Sequence, residues 1–458
     1  MQKMTLFSPQ PLIDLTQYRP SARQSRQFSF LVNPPILRYN CRAMPQPTNP
    51  DTKRQRVNLR RPDVMELVTA EVAKHYQSSI VERLRDLHGE LVIGHTTVRL
   101  AQEFGFCYGV ERAIDLAYAS RKVFPDNRIF LIGEIIHNPE VNRQLVDMGI
   151  VSLPWKELSA EYDQLTADDV VIVPAFGAPT SFMDQIDAKG CSIVDTTCGD
   201  VMKVWRRVRS YAKDGITSII HGKAGHEETR ATASRALGDD KAGHYLVILT
   251  LEHTDYVCRY IAGEGNREEF LQKFADAISP GFDPDLHLRR VGVANQTTML
   301  KSETEEIQKR IRQAIEQRDG HTENFLMFDT ICGATQERQD ALFDMLRKPM
   351  NVLFVVGGYN SSNTAHLVEI GEQSLPTFFI RNADCLASLE QIIHYDLHQK
   401  QEVQSAYPSF LLGNEPTVIG ITAGASCPNN LIEDTIIKVF AMRGIDRDAV
   451  HQALGIEA

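Results

Sequence analysis

Three cysteines stand at glycine-flanked turns far apart along the chain. Cys107 lies in Phe104-Gly105-Phe106-Cys107-Tyr108-Gly109-Val110, Cys198 closes Asp195-Thr196-Thr197-Cys198, and Cys332 closes Asp329-Thr330-Ile331-Cys332. The thiolate is the form of cysteine that ligates metals, so three converging thiolates could hold a metal centre. Structural zinc favours C-x2-C pairs, and the sequence has none. Iron–sulfur clusters accept thiolates from distant points, although four is the usual number. Three would leave one iron without a protein ligand, and an open iron is a Lewis acid that can take a substrate oxygen. The plainer alternative is three core thiols at strand ends. Spacing alone does not separate the two, while the repeated Asp-Thr-x-Cys-Gly favours a site. The other cysteines, Cys41, Cys191, Cys258, Cys385 and Cys427, read mostly as buried thiols. No secretory signal precedes them, which argues against a disulfide framework.

A second set of residues is polar. His221-Gly222-Lys223-Ala224-Gly225-His226-Glu227-Glu228 follows an apolar run. Its glycines allow close backbone approach, and His226 and Glu228 could share one side of a turn, one binding an anion and one passing a proton. A solvated helix start with acids in its first turn would look the same. His137, in Ile135-Ile136-His137-Asn138-Pro139, precedes a proline-started helix and reads alone as a capping or packing residue. Gln296-Thr297-Thr298 precedes another helix, for which Ser302 and Glu305 form a capping box. Gly357-Gly358-Tyr359-Asn360-Ser361-Ser362-Asn363-Thr364 is a strand end, two glycines and a hydroxyl- and amide-rich turn. Such a turn cradles a phosphate with backbone N–H groups and the positive end of a helix. It is neither a Walker A loop nor a G-x-G-x-x-G fingerprint. Thr422-Ala423-Gly424-Ala425-Ser426-Cys427-Pro428 repeats the design. Helix capping explains either turn singly; two in one chain favour an anion.

These residues need a scaffold that brings strand ends together. Short apolar runs at Ile129–Ile132, Val170–Val173, Ile219–Ile220, Val352–Val356 and Val418–Ile421 each meet a turn and then a helical stretch. Runs of this kind read as buried parallel strands with crossover helices, an α/β class. Ligands then bind at the carboxyl ends of the strands, where the cysteines fall. The spacing predicts a helical segment over 62–95 and three similar α/β domains over 96–192, 193–328 and 329–458. An insertion is expected near 235–288, with its own strand at Tyr245–Leu251.

The 458 residues carry a net charge of −10. Residues 1–61 hold eleven Lys/Arg against two Asp/Glu, a balance of +9, which leaves −19 for the remainder. An acidic body offers no face to nucleic acid. No apolar run approaches a membrane span. The proline-rich basic head is expected to be disordered. It suits an organelle transit peptide, and it equally suits a start assigned too far upstream with Met44 as the beginning, the reading placed slightly ahead.

Taken in order, Phe106-Cys107-Tyr108-Gly109-Val110-Glu111-Arg112-Ala113, Asp195-Thr196-Thr197-Cys198, Asp329-Thr330-Ile331-Cys332, Asn360-Ser361-Ser362-Asn363 and Gly420-Ile421-Thr422-Ala423-Gly424-Ala425-Ser426 resemble the 4-hydroxy-3-methylbut-2-enyl diphosphate reductase family. The resemblance runs from about Val92 to Arg443 and points to the plant and cyanobacterial branch. It implies three α/β domains in a trefoil around one [4Fe–4S] cluster, with Cys107, Cys198 and Cys332 as ligands. It implies a diphosphate pocket of His137, His226, Ser361, Ser362, Asn363 and Ser426. Glu228 matches the proton relay, and Thr297 or Thr298 the residue beside the substrate hydroxyl. The implied reaction converts (E)-4-hydroxy-3-methylbut-2-enyl diphosphate to isopentenyl and dimethylallyl diphosphate and water, the last step of the methylerythritol phosphate route. The implied electron donor is ferredoxin or flavodoxin, and the implied location is the cytoplasm, or the plastid stroma if the head is a transit peptide. A non-redox iron–sulfur hydro-lyase and an iron–sulfur redox sensor are the alternatives. Three positions depart from the compact bacterial pattern: Phe176 replaces a pocket histidine, Glu227 replaces a proline, and Gly199-Asp200 follows Cys198 where proline is usual.

Overall fold

The computed structural model describes residues 59–456 apart from 157–158, 329–330 and 387–389. The basic head up to residue 58 and the pair Asp329-Thr330 therefore lie outside the described residues.

Three main sheets carry the chain. The first has strand order Ile150–Leu153, Ile129–Ile132, Val170–Val173, Ser192–Asp195, and every pairing is parallel. The second, also parallel throughout, runs Phe325–Met327, Val291–Asn295, Thr217–His221, Tyr245–Ile248. The third runs Glu90–Ile93, Thr96–Leu100, Thr417–Ala423, Val352–Val356, Thr377–Ile380, and its first pair alone is antiparallel. A hairpin, Gln391–Asp396 with Gln401–Ala406, stands apart.

The unbroken apolar runs follow from burial on both faces. Successive side chains of a strand point to opposite faces. Accordingly Ile129 and Leu131 join one apolar cluster and Phe130 and Ile132 another. Val170 and Ile172 divide from Val171 and Val173 in the same way. In the second sheet Ile219, Val291 and Val293 face one core, and Ile220 and Ala294 the other.

Each cysteine marks the place where the chain leaves one sheet for the next. Cys107 follows Thr96–Leu100 of the third sheet and opens the helix Tyr108–Val123, whose Val110, Ala113 and Ile114 pack on the first. Cys198 follows Ser192–Asp195 of the first sheet and opens Gly199–Lys213, whose Val204 and Val208 pack on the second. Cys332 follows Phe325–Met327 of the second sheet and opens Gly333–Leu346, whose Ala341, Leu342 and Met345 pack on the third.

Several local expectations change. The helical segment expected over 62–95 holds two helices, Pro62–Tyr76 and Ser79–Asp86, because the Ser78 hydroxyl accepts the Val81 N–H and starts the second one. The 62–95 segment also includes the strand Glu90–Ile93. Ser192–Asp195, assigned mostly to the second segment, is the edge of the first sheet, and Thr96–Leu100 pairs with Thr417–Ala423 near the other end of the chain. The strand at Tyr245–Ile248 is the edge of the second sheet, so the stretch from 235 to 288 is not wholly an insertion. Ser302 caps nothing: the helix Lys301–Asp319 starts after Leu300, without a side-chain cap.

Candidate active site

All three cysteines occupy the N-cap position of their helices. The unpaired N–H groups and positive dipole end of a helix favour a thiolate there. Thr335 donates its backbone N–H to the Cys332 sulfur at 3.2 Å, and its hydroxyl lies 2.8 Å from the same atom. The sulfurs converge. A Cβ added to Gly109 would meet the Cys198 Sγ at 2.6 Å and the Cys107 Sγ at 3.9 Å, so only glycine lets this helix start between them. Burial pushes the Cys332 thiol up to about 12, with the charges of Cys107 and Glu228 acting the same way. Cys198 is raised by burial and by Cys107. Thiols kept protonated chiefly by burial, with neighbouring charges adding to the effect, suit a cationic, thiophilic occupant that would stabilise their thiolates. The residues present fit an iron–sulfur cluster.

Two arginines knit the three ligand segments together. Arg112, on the helix that begins after Cys107, donates to the carbonyls of Thr196 at 3.0 Å and Thr197 at 3.2 Å. Arg338, buried on the Cys332 helix, grips the Gly105 carbonyl with Nε at 3.3 Å and Nη2 at 2.6 Å. The Asp195 carboxylate accepts the Thr197 N–H at 2.9 Å, which shapes the turn before Cys198.

Glu228 lies beside this centre. It is 3% exposed, and burial pushes its pKa up from 4.5 to about 7 against the opposing pull of its Thr297 hydrogen bonds. The Thr297 N–H donates to its Oε1 at 2.6 Å. The Thr297 carbonyl in turn accepts the Cys332 N–H at 3.3 Å, so one residue touches both the carboxyl and the sulfur segment. Thr298 turns elsewhere: its hydroxyl accepts from Gln296 Nε2 at 2.7 Å.

The remaining polar residues form a neighbouring cluster. Asn138, not His137, caps the helix Pro139–Asp147, leaving the His137 ring for other work. That ring meets His226 edge-on, with centroids 5.0 Å apart. Ser426 donates to the His137 carbonyl at 3.1 Å and lies 3.5 Å from the Ser361 hydroxyl. Asn363 Oδ1 accepts the Ala425 N–H at 2.9 Å, and Ser362 accepts from Gln296 Nε2 at 3.2 Å. Every predicted pocket residue is thus in one connected region.

Part of its hydrogen-bonding capacity is unmet, and two of the free atoms are donors. Among the described residues, Asn363 Nδ2, His226 Nε2 and His137 Nε2 are buried without a hydrogen-bond partner. Asn363 has committed its oxygen to Ala425, so the free atom donates. His226 Nδ1 accepts the Glu228 N–H at 3.2 Å, so in the neutral ring the proton sits on Nε2. Burial and the neighbouring His137 push the His226 pKa well below 6.5, which keeps that ring neutral. Buried unpaired donors call for an acceptor-rich ligand. His137, His226 and Glu227 offer ligand atoms within 4.8 Å of one another, the composition of a two-histidine, one-carboxylate metal site. The His226 tautomer opposes that use, because Nε2 holds its hydrogen while Nδ1 is engaged.

Three residues here escaped sequence reading in whole or part. Gln296 is the hub of the pocket wall: its Oε1 accepts from Thr229 Oγ1 at 3.0 Å and from the Lys223 N–H at 3.2 Å, while its Nε2 holds Ser362 and Thr298. Its adjacency to Thr297-Thr298 was the available signal. Phe176 stacks on His137 at 4.7 Å, 19° from parallel, fixing that ring by packing. Glu227 holds Oε2 3.5 Å from His137 Nε2 and 4.0 Å from His226 Nδ1, a carboxylate at the mouth of an anion-seeking pocket.

The family model described as LytB protein matches residues 98–440. A 4-hydroxy-3-methylbut-2-enyl diphosphate reductase of Thermosynechococcus vestitus is 46% identical over 384 residues, 83% of this chain and 93% of that protein. One from a Nostoc species is 46% identical over 380 residues, 82% and 92% of the two chains. The fold is that of the solved E-1-hydroxy-2-methyl-but-2-enyl-4-diphosphate reductase from Plasmodium falciparum, with a TM-score of 0.53 at 21% identity over 74% of this chain and 86% of that one. The chain belongs to the LytB family of 4-hydroxy-3-methylbut-2-enyl diphosphate reductases.

Proposed function

We propose that this protein reduces (E)-4-hydroxy-3-methylbut-2-enyl diphosphate to isopentenyl and dimethylallyl diphosphate, the closing step of the methylerythritol phosphate route. The observation that carries the proposal is the pairing of two opposite demands. Buried thiols that want a cation lie next to buried donors that want an anion, and Glu228 lies close to both.

In this reading Cys107, Cys198 and Cys332 hold one [4Fe–4S] cluster. When bound, the cluster supplies two electrons singly and an iron without a protein ligand to polarise the substrate's carbon–oxygen bond. The chain's own residues do the rest. His226 Nε2, Asn363 Nδ2, His137 and the hydroxyls of Ser361, Ser362 and Ser426 hold the diphosphate. They orient the allylic alcohol toward the sulfurs and exclude water. Glu228, with a pKa of about 7, is partly protonated at neutral pH and delivers a proton to the departing hydroxyl, with the Thr297 hydroxyl beside it. Substrate, two electrons and two protons give one product diphosphate and one water. The electrons come from ferredoxin or flavodoxin. No helix among the described residues is long and apolar enough to cross a membrane.

The test is anaerobic purification, iron and sulfide counts, and an assay with the allylic diphosphate with and without reduced viologen. Four iron and four sulfide per chain with strictly reductant-dependent turnover are expected. Turnover without reductant would make the protein a hydro-lyase, and a bound cluster without turnover would make it a sensor.

A further inference from the structure

The helix Gly199–Lys213 departs from the acidic character of the protein. It carries Lys203, Arg206, Arg207, Arg209 and Lys213 against a single carboxylate, Asp200. Asp200 pairs with Lys203 at 2.6 Å. Arg206, Arg209 and Lys213 are exposed and have no carboxylate within ion-pair distance among the described residues. This helix also begins at Cys198, which places Arg206 roughly 12 Å along the axis from that cysteine.

Exposed apolar groups lie beside it. Tyr108, next to Cys107, is 73% exposed, and Phe328, four residues before Cys332, is 44% exposed. The Arg207 guanidinium covers the Phe328 ring at 3.7 Å, joining the basic helix to the end of the Phe325–Met327 strand. Arg112 and Gly109 hold the start of the Tyr108 helix against the Cys198 turn. Aromatic side chains and arginine near a rim of charge are the composition of a protein interface.

We propose that this face, resting on the functional reading above, docks a small acidic [2Fe–2S] ferredoxin, with the cations of Gly199–Lys213 steering it and Tyr108 and Phe328 forming the contact. The body carries about −19 outside its head, so its net field repels an acidic carrier, which then needs a locally basic face to approach. Such a face occurs on a helix whose N-cap is Cys198, one of the three converging cysteines. Steering of this kind raises association rates and weakens with salt.

The test uses the full-length, cluster-loaded enzyme under anaerobic conditions and a plant-type [2Fe–2S] ferredoxin. R206E/R209E/K213E leaves the Lys203–Asp200 pair and the Arg207–Phe328 stack in place. Its ferredoxin affinity by calorimetry should fall about tenfold or more at low ionic strength, with the gap closing at high salt. Turnover driven by reduced methyl viologen should match wild type, as should the melting temperature. The single reversal R312E, on the helix Lys301–Asp319, serves as the control and should change ferredoxin affinity little. Equal ferredoxin affinity in the triple variant and wild type would overturn the proposal. So would a loss of affinity confined to flavodoxin. If the wild type fails to turn over with viologen, the functional reading falls, while the ferredoxin titration still decides the surface.

Discussion

The sulfur centre and the adjacent pocket are built from opposite electrostatic imbalances. Around Cys107, Cys198 and Cys332 buried thiols gather, and burial, helped by neighbouring charge, raises Cys198 and Cys332. Around His226 and Asn363 there are buried, unpaired donors. The first region is assembled from residues that change sheets, the second from turns at strand ends packed by Gln296, Ser361 and Ser426. The two regions share Thr297 and Ala425 as backbone joints, and four substitutions test how far one can be emptied without dismantling the other.

The largest effect is expected from Cys332→Ser. Iron content and visible absorbance should fall, and turnover should drop by about 10³-fold or more, beyond the 10–100-fold typical of residues that only support metal ligands. Inorganic diphosphate should still bind with near wild-type affinity. A parallel loss of diphosphate binding would show that the regions are one unit.

Glu228→Gln comes next. Iron and KM should be retained while kcat falls by about 10²–10⁴-fold. In the wild type, kcat should decline as pH rises through about 7, because the protonated carboxyl is the donor. Stability has its own sign. A carboxyl whose folded pKa lies above its unfolded value favours folding only while protonated, so its contribution is lost between pH 4.5 and about 7. The glutamine variant should therefore melt higher at pH 8, by about 3 kcal/mol, and gain nothing below pH 4.5. Melting curves at the two pH values check this.

Asn363→Ala should raise KM by about 10–100-fold, the cost of one buried donor to a charged ligand, with iron unchanged. The smallest effect belongs to Glu227→Gln. Removing a carboxylate 3.5 Å from His137 Nε2 should lower KM by about threefold and leave kcat alone. A rise in KM would mean that Glu227 orients His137 more than it opposes the anion.

The sequence exposed the parts of this arrangement that are local. Asp-Thr-x-Cys and the Asn-Ser-Ser-Asn turn are short because one turn must both end a strand and start a helix, so their chemistry is compressed into a few neighbours. Contacts made across hundreds of residues left no such mark. Arg338 reads as an ordinary helix arginine until its grip on the Gly105 carbonyl is seen. The pairing of Thr96–Leu100 with Thr417–Ala423 has no local signature, which is why the segment limits near 95 and 192 did not follow the sheets. Ser302 misled because Ser-x-x-Glu is also an ordinary surface pattern inside a helix. The basic character of the helix Gly199–Lys213 was masked by the net acidity of the body, and its placement near Tyr108 and Phe328 required the fold.

The third sheet carries a consequence for biosynthesis. Its central strand, Thr417–Ala423, lies between Thr96–Leu100 and Val352–Val356, and the Cys107 N–H bonds to the carbonyl of Ala425 just beyond it. A ribosome must therefore release almost the whole polypeptide before Cys107 gains its backing. Until then the early pair Glu90–Ile93 and Thr96–Leu100 keeps one open edge, which makes this sheet the slowest to close and the one most in need of chaperone protection on the nascent chain.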